Sequence, residues 1–168
     1  MTVKELEVLY DYGYWANKRL FKVISELTPE QFAEPVASGH RSIRNTLVHT
    51  LSAEWGWLDR CGGPERGARL NPDNYPTLES LLADWGKVEG YVRDFLSRLK
   101  DEDLARDVEF TLVGPGKYSM LLGHLMHHAA AHGVHHRAQV ALMLRMMGYE
   151  PSDFDMLLYY AEKRGVSL

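Results

Sequence analysis

Cysteine is almost absent. Cys61 stands alone among 168 residues, so no internal disulfide can form and a reducing compartment is the expected setting. Its reading is a small buried apolar residue near a helix end. Long apolar runs are missing too: none approaches the roughly 18 residues of a membrane span. The opening Met1-Thr2-Val3-Lys4-Glu5 carries charge where a secretory signal keeps its apolar centre, so a cytoplasmic protein with no membrane partner is expected. Lys and Arg number 19 against 23 Asp and Glu, a net charge of -4, and they form no basic stripe, so a nucleic-acid partner is not expected. Nucleophile elbow, P-loop and dinucleotide fingerprint are all lacking, as are repeats and low-complexity segments. What is present is an ordinary globular balance, 45% hydrophobic and 25% charged, sufficient for one core and a single domain over 1–168.

Helix signals divide the chain. Thr2 and Glu5 form a capping-box pattern ahead of an apolar-periodic run ending near Leu27. Thr28-Pro29-Glu30-Gln31 then predicts a short helical turn, followed by the loop "EPVASGHR". Ser42 caps a second long helix that stops at Gly62-Gly63-Pro64, and Thr77 caps a third over Leu78 to Leu99. From Asp101 to Ser119 the helical period is lost. Val108, Phe110 and Leu112 alternate with polar residues and "GPG" at 114–116 signals a turn, so a short extended excursion or hairpin covering the bundle is expected. Ser119 opens the fourth and longest helix, ending near Gly148, and Ser152 is positioned to cap a short last one. The architecture read from this pattern is all-α: a four-helix bundle with an extended excursion before its fourth helix and a short C-terminal helix.

Six of the eight histidines lie between 124 and 136. At 100° per residue, Leu121, Leu122, Leu125, Met126, Ala129, Val140, Met143, Leu144 and Met147 share one side of the fourth helix, and His132 and His136 fall inside that arc. His128 lies at its edge; His124, His127 and His135 point outward and read as a solvated face with no assigned role. One buried histidine is ordinarily a core residue satisfied by a neighbour. Two, separated by a single turn, can aim at a common point, and a cation there satisfies both nitrogens at once. Gly133 between them leaves room for a close neighbour. The His-x-x-x-His pair lacks the central Glu of the zincin motif, so the pattern alone is of limited specificity.

A catalytic metal site takes a further ligand from another helix. His40, in a loop beside Gly39, reads as an exposed polar residue, while His49 and Glu54 are rivals on the second helix that periodicity does not separate. Cys61 is too far along that helix to share the metal. Tyr10, Tyr14, Trp15 and Asn17 near the mouth, with Trp55 and Trp57, read as core before pocket lining. Arg137 is read as pairing with a surface carboxylate, with orientation of an anionic substrate as the alternative.

Three stretches, "YDYGYWANKRLFKVISELTPEQF", "SIRNTLVHTLSAEWGWLDR" and "HHAAAHGVHHRAQVALMLRMMG", resemble in sequence and order the signature segments of the DinB-like superfamily, over nearly the whole chain. The resemblance implies a four-helix bundle, often dimeric, that holds a divalent metal through His49, His132 and His136, with Arg137 and Gln139 forming an "HRxQ" tail. Ala138 stands where many relatives have glycine. Some relatives are S-transferases or isomerases that use bacillithiol, mycothiol or glutathione, and many have no assigned reaction.

The expectation is therefore a divalent transition metal (zinc, nickel, iron or manganese) and a small-molecule substrate. The resemblance adds a low-molecular-weight thiol cosubstrate and a homodimer. Three neutral imidazoles leave the cation its full charge, and an open fourth position can take a thiol or water. Thiol transfer rests on the resemblance. Metal-assisted hydrolysis, and a non-enzymatic metal-stabilised binding or stress-response module, are the alternatives, and no single residue is assigned as catalytic.

Overall fold

The computed structural model describes residues 1–36, 39–112 and 116–166. Four long helices carry the core: α1 (Val3–Ile24), α3 (Ile43–Arg60), α4 (Leu78–Ser97) and α5 (Leu122–Met146); α2 (Pro29–Ala33) and α6 (Met156–Lys163) are short. The expected all-α bundle is what the chain forms. α1 and α3 each pack against both α4 and α5, so α1 faces α3 across the bundle axis. Among the described residues no helix is long and apolar enough to cross a membrane.

Local chemistry sets most helix starts. The Thr2 hydroxyl accepts from the Glu5 backbone N–H at 3.2 Å while the Glu5 carboxylate accepts from Thr2 N–H at 2.7 Å. Thr28 and Gln31 repeat the exchange at α2, with Pro29 at its first position, and Ser42 and Thr77 cap α3 and α4 as expected. The apolar stripes then meet: Leu6, Ile24, Ile43, Leu51, Leu81, Leu125 and Leu144 are at most 1% exposed. Each such burial contributes about 1.5–3 kcal/mol. Cys61 closes α3 within this core, and burial pushes its thiol up to about 11, which leaves it an inert packing group.

Two helix starts differ from the sequence expectation. α5 starts at Leu122, three residues after Ser119, because Lys117–Leu121 is β2, paired antiparallel with β1 (Asp107–Thr111) in the register Phe110↔Tyr118. Ser119 spends its hydroxyl on Asp107 across that hairpin at 3.2 Å. Gly114 and Pro115 of the expected turn lie outside the described residues. The cap of α6 is Asp155, whose carboxylate accepts from Leu157 N–H at 2.8 Å, and not Ser152, because the Tyr12 hydroxyl of α1 holds the Phe154 carbonyl at 3.1 Å and fixes where the helix can begin. The hairpin covers the bundle beside α3: Val108 and Phe110 face inward, and Phe110 meets Trp57 with ring centroids 5.5 Å apart.

Candidate metal centre

α3 and α5 pack directly against each other and bring His49 to His132 and His136. His49 Nε2 and His132 Nε2 lie 3.2 Å apart; His136 Nε2 and His132 Nε2 lie 3.0 Å apart. Nitrogens held about 2.0–2.1 Å from a tetrahedral cation are separated by about 3.3 Å. The observed spacing fits that edge.

The tautomer is fixed from behind. His136 Nδ1–H donates to the Gln139 amide oxygen at 2.7 Å, and the Gln139 amide nitrogen donates to His135 Nε2 at 3.1 Å, so each amide group has one imidazole partner. The Nε2 of His136 therefore presents a lone pair to the site. Hydrogen bonds among the three rings cannot satisfy this arrangement. Wherever the protons are placed, one hydrogen must serve two contacts, or two lone pairs or two hydrogens must oppose one another; a cation removes the conflict.

Burial holds these rings neutral. It is the largest cause in each case, pushing His49 down to about 3 and His132 to about 4, with neighbouring imidazoles adding to the effect. His136, 6% exposed, is lowered by the same burial against the opposing Gln139 bond.

A fourth ring is present. His40, expected to be exposed, is half-buried and stacks on His49 with centroids 3.9 Å apart and planes at 23°. Ring nitrogens of His40, His49 and His136 lie within 4.8 Å of one another, a three-histidine group placed to hold a metal ion. That group shares His49 and His136 with the expected set, in which the two contacts made by His132 Nε2, at 3.0 and 3.2 Å, match a coordination edge. The loop before α3 has no period, so nothing in the sequence signalled that His40 folds back.

Other expectations resolve in detail. Glu54 is committed to α1, where the Tyr14 hydroxyl donates to it at 2.9 Å, and burial pushes its carboxyl up to about 7. Among the described residues, Arg137 pairs with no surface carboxylate. It is 4% exposed and donates to Asn17 Oδ1 at 2.8 Å and to the Gly13 carbonyl at 3.3 Å, because its side chain runs inward toward α1. Tyr10, Tyr14 and Trp55 are core residues, and Trp15 packs half-buried against α6. Gly133 has no atom within 4 Å of where a Cβ would stand, so packing does not require glycine there. His124, His127 and His135 are exposed as expected; His128, read at the edge of the inward arc, is exposed too, and its ring meets Trp57 at 5.0 Å.

The site opens on a cleft of about 340 Å³ lined by His40, His49, Asn45, Ser52 and the arginines Arg41 and Arg69. From His132 a chain of rings leads to the hairpin: His128 at 6.1 Å between centroids, then Trp57 and Phe110. A larger cleft, about 900 Å³, lies between α1, α5 and the C-terminal segment, and none of the four converging histidines lines it.

The sequence model of the DinB family matches residues 1–165. The chain is 26% identical over 163 residues to the protein DinB of Bacillus subtilis (strain 168), an alignment covering 90% of this chain and 92% of that protein. It is 24% identical over 145 residues to the uncharacterized protein YizA of the same organism, covering 84% and 87% respectively. The crystal structure of a DinB-like protein from Bacillus cereus ATCC 10987 superposes with a TM-score of 0.74 at 20% identity, over 90% of this chain and 97% of that one.

Proposed function

Since the chain belongs to the DinB family, we propose that His49, His132 and His136 hold one divalent transition-metal ion and that the site activates a thiol, or a water molecule, against a small-molecule substrate. The convergence of three Nε2 atoms from two helices, at 3.0 and 3.2 Å, carries this reading. Bound there, a divalent cation supplies Lewis acidity, drawing a thiol or water beside it toward its ionised form near neutral pH. The chain's own residues prepare that chemistry. Burial keeps the three imidazoles unprotonated, so no proton need leave before they bind. Gln139 fixes the His136 tautomer through Nδ1–H and leaves Nε2 free. Substrate enters by the cleft of Arg41, Asn45 and Arg69.

Thiol transfer is the reaction this reading favours, with a low-molecular-weight thiol as cosubstrate. A homodimer is proposed with it, supported by the apolar side chains left exposed along α5 and α6: Val134, Leu142, Met146, Leu157 and Tyr160. The test is metal content by inductively coupled plasma mass spectrometry on protein purified without a polyhistidine tag. About one equivalent per chain is expected, with loss in a His132→Ala, His136→Ala double variant. An empty wild type, after reconstitution with zinc, nickel, manganese and iron, would refute the site.

A further inference from the structure

The three proposed ligands sit on helices; the fourth imidazole sits on a loop. His40 lies between two left-handed residues, Gly39 at φ +81° and Arg41 at φ +74°. Glycine adopts that conformation freely, whereas a residue with a Cβ such as Arg41 does so at a cost and keeps it only where its surroundings hold it. Here Val36 N–H donates to the Arg41 carbonyl at 2.8 Å and Ser42 N–H to the His40 carbonyl at 3.0 Å, immediately before Ser42 caps α3. The turn aims the His40 ring inward against two of the other rings: His49 at 3.9 Å and His136 at 5.4 Å between centroids.

We propose that His40 is a displaceable fourth ligand, completing a four-nitrogen site at rest and swinging into the adjoining cleft when a substrate thiol or water takes its place. The proposal rests on the three-histidine reading above. The His40, His49 and His136 nitrogens lie within 4.8 Å of one another, and because the His40 ring stacks face to face on His49 it must turn off that face and shift with its loop for both lone pairs to meet at one ion. A loop can move in this way, whereas helices packed by Leu47, Leu51, Leu125 and Val140 cannot. Space for the outward position exists, since Gly39, His40 and Arg41 themselves line the 340 Å³ cleft. The same site would then be closed, as structural sites are, until a ligand opens it. His40 would guard the cation against adventitious anions and set a threshold that an incoming thiol must exceed.

Cobalt(II) is the probe, because its visible d–d absorption is strong in four-coordinate sites and weak in six-coordinate ones. Full-length untagged protein is loaded with cobalt(II), its affinity read by competition with a chromophoric chelator, and wild type compared with His40→Ala and His40→Gln. The expected results are at least tenfold weaker cobalt(II) binding in both variants, a changed d–d spectrum, restoration of the wild-type spectrum in His40→Ala by added imidazole, and at least tenfold tighter azide binding to cobalt-loaded His40→Ala than to wild type. Equal cobalt(II) affinity, spectrum and azide affinity across the three proteins overturns the role of His40. If His49→Ala and His132→Ala abolish binding while His40→Ala leaves it unchanged, this proposal alone fails. No cobalt(II) binding by wild type defeats both this proposal and the reading on which it rests.

Discussion

Glu54→Gln exchanges a buried carboxyl for its neutral isostere and leaves an oxygen for the Tyr14 hydroxyl, which donates to Glu54 Oε1 at 2.9 Å. Burial raises the Glu54 pKa to about 7, against an ordinary value of 4.5. A carboxyl raised in the folded state binds its proton more tightly there than in the unfolded chain. Its contribution is fully present below about pH 4.5 and lost as pH rises through about 7. That interval, at about 1.4 kcal/mol per pH unit, sets the loss at about 3 kcal/mol. Glutamine does not ionise, so the stability of Glu54→Gln minus that of wild type should grow by about 3 kcal/mol between pH 4.5 and pH 8. Urea unfolding of both proteins at pH 4.5, 5.5, 6.5 and 8, with chelator present, measures it. Histidine titration contributes equally to both and cancels in the difference. A difference that stays constant across the range would show that Glu54 ionises freely in the folded protein and that the account of its burial is wrong.

The neutral imidazoles give a second expectation. At pH 6, three histidines with an ordinary pKa of 6.5 would release about two protons on binding a metal; with His49 near 3, His132 near 4 and His136 lowered, less than about one proton should leave. Calorimetry in buffers of different ionisation enthalpy counts them, and a count near two refutes the lowered values. Gln139→Ala frees His136 Nδ1 from its acceptor and should weaken metal binding about 10–100-fold while leaving the thermal stability of chelated protein within about 1 kcal/mol of wild type, as read by chelator competition and calorimetric melting.

The helix starts at Thr2, Thr28, Ser42 and Thr77 were legible in the sequence because a cap and its partner lie within three residues, so local chemistry decides them. The start of α5 was not, since Ser119 belongs to β2 through pairing with β1. At the site, the wheel placed His132 and His136, whose spacing is a property of one helix. His49 needed the family resemblance because the buried arc of a bundle helix is wide. His40 was out of reach of either argument: its position comes from a turn between two left-handed residues. Arg137 shows the opposite failure. A charge beside a helix surface reads as solvated until a partner such as Asn17 on α1 is in place to receive it.

His49 and His132 are 83 residues apart in the chain and 3.2 Å apart in the fold. A cation gripping both would act as a covalent staple acts, closing a loop of that length in the unfolded ensemble; the chain-entropy relation for such a loop gives about 4.5 kcal/mol. α3 and α5 would then separate no faster than the ion departs. The lifetime of the native protein under proteolysis or heat would be set by a ligand-exchange rate, and a cell's supply of one trace element would govern how long each copy of this chain survives.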